Sequence, residues 1–84
     1  MRIRYTAAAL EQLERLDVST QKRIVDKMDF FAMQEKPLSF AKHLIGYRAY
    51  RFRIGAYRVF CDVESFEILA VVAIAKRDDA YKDL

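Results

Sequence analysis

The chain has 84 residues, of which 54% are hydrophobic and 32% charged, and its net charge is +3. This hydrophobic content excludes a disordered chain, and the length predicts one small domain over residues 1–84. A single cysteine, Cys61, excludes an internal disulfide, and no apolar run approaches the roughly 20 residues of a membrane span. We therefore expect a cytoplasmic protein with no membrane partner.

The first half of the chain predicts a strand followed by two helices. Residues 2–5 alternate polar and apolar side chains, which is typical of a short strand. Thr6 is suited to cap a helix over residues 7–16, and residues 17–19 supply a turn and a second cap. The second helix is expected over about 20–35, because Pro37 then ends it. Residues 38–46 are interpreted as a connecting segment.

The second half predicts three strands. Residues 50–60 form a hairpin, in which Gly55 takes the first central position of a type II′ turn. Residues 62–66 are expected to form a second turn around Glu64 and Ser65, followed by an apolar strand over 66–75 and a polar tail or short helix. The order indicates an α+β fold: an N-terminal strand, a two-helix hairpin and a three-stranded antiparallel meander form a two-layer sandwich with a short C-terminal helix or tail.

The hairpin places three arginines on one side of the sheet. Its turn puts Arg53 opposite Arg58, and strand alternation adds Arg51 to what we call the arginine face. Like charges directly opposite each other destabilise a sheet, so this arrangement indicates an anionic ligand. If the second turn also has two residues, Arg58 pairs with Val71, and Arg77 has the parity of the same face.

Charge is unevenly distributed along the chain. Residues 36–61 contain no Asp or Glu but six lysines and arginines, among them Lys42 and Arg48. This asymmetry favours a polyanionic partner, although a solubilising basic surface is the alternative. Lys42, Tyr47 and Arg48 are candidate substrate-binding residues, because tyrosines can also stack on unpaired bases. Tyr50 and Tyr57 have core parity and are interpreted as structural.

Other chemistries have little support in the sequence. No His, Cys or carboxylate group has the spacing of a metal site, and the two glycines form no phosphate-binding loop, so we expect neither metal nor cofactor. The buried parity of Cys61 indicates a structural thiol. His43 is the only histidine, in a basic segment, where a surface role is the more common one.

Two segments, residues 50–59 and 74–81, together resemble the RelE/ParE superfamily of type II toxin–antitoxin toxins. The shared features are a basic aromatic strand, a Gly-x-Tyr-Arg turn, and a final strand that ends in a basic pair followed by tyrosine. RelE-like members cut mRNA in the ribosomal A site, whereas ParE-like members poison DNA gyrase and lack the nuclease residues. By position, the resemblance implies catalytic roles for Arg51, Arg53, Arg58, Arg77 and Tyr81, and Lys76 of the basic pair is a further catalytic candidate.

The resemblance implies a metal-independent endoribonuclease, an mRNA interferase in which the ribose 2′-hydroxyl attacks the adjacent phosphate. Arginines replace the lysines common in RelE-like enzymes, and arginine is not deprotonated in proteins, so it is poorly suited to transfer a proton. Acid–base work would pass to Lys76, Tyr81 or His43, or the enzyme would rely on positioning and electrostatics. A gyrase poison and a non-catalytic antitoxin-binding member stay open as alternatives. Expected partners are an antitoxin, the ribosome with mRNA, and operator DNA bound as a toxin–antitoxin complex.

Overall fold

The computed structural model describes residues 1–44, 46 and 49–76 of the 84-residue chain. Its elements, in chain order, are β1 (Arg2–Tyr5), α1 (Ala7–Glu14), α2 (Val18–Ala32), a 3₁₀ turn (Pro37–Phe40), β2 (Lys42–His43), β3 (Ala49–Ile54), β4 (Tyr57–Ser65) and β5 (Ile68–Ala75).

Within these residues the strands form one mixed sheet of five, in the order β1-β5-β4-β3-β2. β1 runs parallel to β5, and the other neighbouring strands are antiparallel. The predicted α+β fold, with a strand, two helices and an antiparallel meander in two layers, is confirmed. A parallel pairing requires a crossover between its strands. Here the two helices and the rest of the sheet lie between β1 and β5 in the chain.

Both helices begin at side chains that accept backbone hydrogen bonds. The hydroxyl of Thr6 accepts from the backbone N–H of Ala9 at 3.1 Å, which confirms the predicted cap of α1. Asp17 caps α2 and accepts from the Ser19 hydroxyl at 2.5 Å and from the backbone N–H of Thr20 at 3.1 Å. The hydrogen bonds from Ser19 and Thr20 lower the pKa of Asp17 to about 2.

The helices cover one side of the sheet, which we call the helix face. Because side chains alternate along a strand, every second residue of β3 and β4 points into this layer. Phe52, Val59 and Cys61 are fully buried there, and burial raises the pKa of the Cys61 thiol. The core cluster also contains Ala9, Leu13, Ile24, Met28, Phe31, Ile54, Leu69, Val71 and Ile74. Cys61 is therefore a buried thiol, as its parity predicted.

The structure corrects four sequence predictions. The segment assigned as a connector contains the 3₁₀ turn and the short strand β2, and α2 spans Val18–Ala32 instead of about 20–35. β4 continues to Ser65, so the second turn lies at Phe66 and Glu67 instead of Glu64 and Ser65. The register follows: Arg58 pairs with Ala75, and the predicted pairing with Val71 is wrong.

Two irregularities in the β4–β5 pairing cause the register difference. They fall between Phe60 and Cys61 and between Val63 and Ser65. An extra residue in one strand of a pair reverses the parity beyond it. Val71 consequently lies on the helix face opposite Cys61, whereas Ala73 and Ala75 lie on the arginine face. Odd-numbered residues of β5 therefore lie on the arginine face only from Ala73 onward, past the irregularity opposite Phe60 and Cys61.

Candidate functional site

Four of the cationic residues on the arginine face form a group on three adjacent strands. Arg53 is directly opposite Arg58, which confirms the pairing predicted from the hairpin. β2 adds a second such pair, because Lys42 is directly opposite Arg51. Residues opposite each other in an antiparallel pair have Cβ atoms about 4.5–5.5 Å apart. The structure therefore brings Lys42, a predicted substrate-binding residue, into one group with three predicted catalytic arginines.

The group is accessible to a ligand on at least one side. Arg53 is exposed, and Arg51 and Arg58 are partly buried. Neither Arg53 nor Lys42 has a carboxylate within ion-pairing distance among the described residues. Opposed like charges on a sheet are unfavourable, and an anion bound at Arg53 and Lys42 would interact favourably with both side chains.

The turn between β3 and β4 holds the opposed arginines at the end of the hairpin. Gly55 has a φ of +60°, and Ala56 has a negative φ. This combination agrees with the predicted type II′ turn. Arg23 from α2 lies against the turn on the other side, where a Cβ added to Gly55 would be 2.8 Å from its Nη1 atom. The glycine therefore meets both a backbone and a packing requirement.

The side chains of Lys76 and His43 lie toward tyrosines of the helix face, whereas an acid–base role in this site would place them on the arginine face. The Lys76 backbone carbonyl accepts a hydrogen bond from Nη1 of Arg58, so the end of β5 supports that arginine. The Lys76 ammonium, in contrast, lies 5.4 Å from the ring centre of Tyr57, whose parity is that of the helix face. His43 pairs with Tyr50, and their rings are 4.8 Å apart on that same face.

Sequence reasoning missed two carboxylates on the arginine face. Asp62 and Glu64 follow Arg58 and Phe60 at alternate positions of β4, but they were assigned to a turn. Glu64 lies at the irregularity between Val63 and Ser65 and forms an ion pair with Arg4 of β1. The Oδ1 atom of Asp62 is buried and receives no hydrogen bond in the described part of the chain. Strand alternation extended past residue 61 would have identified both.

The other predicted site residues, Tyr47, Arg48, Arg77 and Tyr81, lie outside the described residues. Over the described ranges no three His, Cys, Asp or Glu residues lie close enough together to hold a metal ion. No helix in those ranges is long and apolar enough to cross a membrane. The described site offers positively charged side chains with many hydrogen-bond donors. The planar guanidinium group of arginine matches the geometry of phosphate oxygens.

The fold and this basic sheet face define a small toxin of the RelE/ParE superfamily. The chain belongs to the family described as the ParE toxin of the type II toxin–antitoxin system parDE, whose model matches residues 3–81. A search of curated proteins finds no match.

Solved structures of RelE toxins share the fold at low sequence identity. The chain is similar to the toxin in the intact RelBE toxin–antitoxin complex of E. coli, with a TM-score of 0.71 and 14% identity over 90% of this chain and 95% of that one. For the RelBE2 complex of Mycobacterium tuberculosis the TM-score is 0.73, with 20% identity over 89% and 95%. For the RelB–RelE complex of Methanococcus jannaschii it is 0.68, with 19% identity over 96% and 98%.

Proposed function

We propose that this toxin cleaves mRNA on the ribosome, with its arginine face holding the scissile phosphate. The observation that carries the proposal is the presence of two directly opposed cationic pairs on one sheet face, Lys42 with Arg51 and Arg53 with Arg58. These pairs bring the hydrogen-bond donors of several cationic side chains to one place on the sheet. A phosphodiester bound between them would receive hydrogen bonds and charge stabilisation from both members of each pair.

The proposed reaction is attack of a ribose 2′-hydroxyl oxygen on the adjacent phosphorus. The new P–O2′ bond forms as the P–O5′ bond breaks, which leaves a 2′,3′-cyclic phosphate and a 5′-hydroxyl. The 2′ proton leaves the nucleophile, and the departing 5′ oxygen takes up a proton. Arg51, Arg53 and Arg58 stabilise the charge that develops on the phosphate oxygens, but they do not move either proton.

The positions of the other candidates favour catalysis by positioning and electrostatics. His43 and the Lys76 ammonium lie toward Tyr50 and Tyr57, away from the opposed arginines. Proton transfer requires contact at about 2.6–3.2 Å, directly or through one water. By the resemblance to RelE-like enzymes, Arg77 adds a further phosphate contact and Tyr81 stacks on or orients the substrate nucleotide.

A cognate antitoxin is the proposed protein partner, because the similar toxins were crystallised with RelB antitoxins. An antitoxin segment with acidic side chains would neutralise the arginine face and block RNA at the same time. Operator DNA is proposed to bind to the toxin–antitoxin complex. The ribosome supplies the message in an unpaired form that the exposed face can reach.

The decisive experiment maps transcript ends on programmed ribosomes. Wild-type toxin is expected to give new 5′-hydroxyl ends in the A-site codon, and a 2′-deoxy substitution at the attacking nucleotide should abolish them. Arg58→Ala should lower the single-turnover rate by roughly 100- to 1,000-fold, as loss of one charge-stabilising donor does elsewhere. Arg15→Ala is the matched control and should leave the rate unchanged, because Arg15 is the C-cap residue of α1 and pairs with Glu11.

A second candidate is a gyrase poison, and the match to the ParE family model favours it. The same purified toxin should then leave ribosome-bound messages intact and give gyrase-dependent double-strand breaks in plasmid DNA. That pair of results would refute the nuclease. Cleavage of messages without gyrase-linked breaks would refute the poison.

A further inference from the structure

Residues that lie opposite each other on the helix face form a row that ends in an exposed ring at the edge of the sheet. The row begins with Val71 of β5, continues through Cys61 and Tyr50, and ends at His43 of β2. Val71 and Cys61 are fully buried, whereas Tyr50 is half-buried and His43 is exposed. Burial therefore decreases from the core to the edge, and the last side chain of the row is aromatic.

The His43 ring has a neighbour on one side and space on the other. Tyr50 covers the side toward the sheet, with the ring centres 4.8 Å apart and the ring planes inclined by 36°. In the described part of the chain, β2 is the last strand on this side of the sheet, and Tyr50 is the only ring that contacts the imidazole. A further planar group can therefore stack on His43, where a next strand would lie.

The preceding residue places a cation on the opposite face of the same edge strand. Lys42 is exposed and lies directly opposite Arg51 on the arginine face. Consecutive residues of a strand are about 3.3 Å apart along it and point to opposite faces. β2 therefore presents a cation and a ring back to back, and both are accessible. A nucleotide that passes around this edge can place its phosphate against Lys42 and its base against His43.

This combination of cation and ring suits a single-stranded nucleic acid. Cationic side chains follow the backbone of such a strand, and its bases stack on aromatic side chains because every base has a π face. Lys42 is one strand and two residues away from Arg53, which corresponds to roughly 8 Å. The edge strand would therefore contact a nucleotide next to the one whose phosphate lies between Arg53 and Arg58.

We propose that His43 positions the RNA by stacking on the base of a nucleotide adjacent to the scissile phosphate, while Lys42 holds the phosphate of that nucleotide. His43 moves no proton in this role, which agrees with its place on the helix face, away from the opposed arginines. Stacking tolerates every base, so we expect little discrimination among the four. This inference rests on the proposed function for the identity of the ligand as an RNA strand, but it concerns binding alone and not cleavage.

The test moves a single abasic site along a 2′-O-methyl RNA, which cannot be cleaved and is too short to bind in more than one register. Fluorescence anisotropy measures the affinity of the toxin for each member of this series. For the wild type, we expect one position at which loss of the base weakens binding by about tenfold. In His43→Ala this penalty should disappear, because the missing ring and the missing base form one contact. His43→Phe keeps a planar ring and should retain the penalty.

Two further variants control for the phosphate contact and for exposed rings in general. Lys42→Ala should weaken binding of the whole series by the same factor and lower the slope of log affinity against log salt by about 0.7, but keep the abasic penalty. Phe66→Ala removes an exposed ring from the turn between β4 and β5 and should change neither quantity. Melting temperatures of all variants control for folding.

The possible results separate this inference from the nuclease. An abasic penalty that persists in His43→Ala, a His43→Phe variant that binds as His43→Ala does, or a wild-type toxin that shows no such penalty or binds no RNA would overturn the role of His43. A penalty lost in His43→Ala and kept in His43→Phe supports that role, even if ribosome-bound messages stay intact. Message cleavage with an abasic profile that does not depend on residue 43 would keep the nuclease and reject this inference.

Discussion

The same strands form both faces of the sheet, but one face packs against the helices and the other carries the cationic side chains. On the helix face, Phe52, Val59 and Cys61 are fully buried and pack against both helices. The alternate residues of the same strands lie on the arginine face and include Arg51, Arg53 and the other cations. This face also contains four buried residues, Ala49, Phe60, Ala70 and Ala73. Strand alternation alone separates a packing surface from a charged one.

Magnitudes show which face determines stability. Full burial of one large apolar side chain contributes about 1.5–3 kcal/mol, whereas a directly opposed like-charge pair costs about 0.2–1 kcal/mol. Two such pairs are thus offset by a single aromatic side chain such as Phe52. The comparison teaches that the fold can tolerate opposed cationic pairs on one face because burial on the opposite face contributes far more to stability. Substitutions on the two faces should therefore have effects of different size and sign.

The largest effect is expected at Phe52. Its ring stacks on Phe31 with centroids 5.1 Å apart, and Phe31 stacks on Phe40 at the same distance. Phe52→Ala should lower the free energy of unfolding by about 3–5 kcal/mol, because it leaves a cavity between the layers. Equilibrium urea unfolding followed by far-UV circular dichroism measures this loss.

Phe66→Ala is the matched control, since its side chain is 86% exposed in the second turn. We expect it to change stability by less than about 0.5 kcal/mol. Comparable losses in the two variants would contradict the assignment of stability to the helix face.

An intermediate effect is expected at Gly55, where the two faces meet at the hairpin turn. Its φ of +60° is unfavourable for alanine, so Gly55→Ala should cost about 1–2 kcal/mol. The new Cβ would also approach the Arg23 guanidinium, but that flexible group can move. Urea unfolding of Gly55→Ala with and without Arg23→Ala separates the two causes. If Arg23→Ala restores the lost stability, contact and not backbone conformation is the reason for the glycine.

Much of this fold could be predicted because its signals are local. Alternation in residues 50–60, a glycine at the turn and apolar helical spacing determined the face assignments and the Arg53–Arg58 pair. β2 could not be predicted in the same way, because a two-residue strand has no alternation pattern of its own. Its Lys42–Arg51 pairing depends on contact with β3, which is information that the segment itself does not contain.

The register of β5 and the position of Asp62 on the arginine face were both mispredicted, for one physical reason. Glu64 and Ser65 are favourable turn residues, whereas the observed turn contains Phe66, an aromatic residue with low turn preference. Ending β4 early removed Asp62 and Glu64 from the arginine face and shifted the partner of Arg58. Irregular pairing then added an offset that no residue preference indicates. The cationic half of the site was predictable, and its acidic half was not.

The smallest expected effect has the opposite sign, on the arginine face. Arg53→Gln removes one member of an opposed pair, so the free energy of unfolding should stay constant or rise by up to about 0.5 kcal/mol. Salt screens repulsion between exposed charges, and the wild type should therefore gain more stability than the variant between 20 and 500 mM NaCl, two concentrations chosen to span roughly 20 to 4 Å of screening length. Urea unfolding at both concentrations gives the comparison.

Arg15→Gln shows what the same substitution does when the arginine is favourably paired. Arg15 and Glu11 are 2.7 Å apart one turn along α1, and loss of this pair should lower stability by about 0.3–0.5 kcal/mol at low salt. The two variants should thus respond to salt in opposite directions relative to the wild type. A loss of stability in Arg53→Gln at low salt would mean that Arg53 has a favourable partner in the free protein. The arginine face would then be held together without an anion, and its repulsion could no longer support a phosphate-binding role.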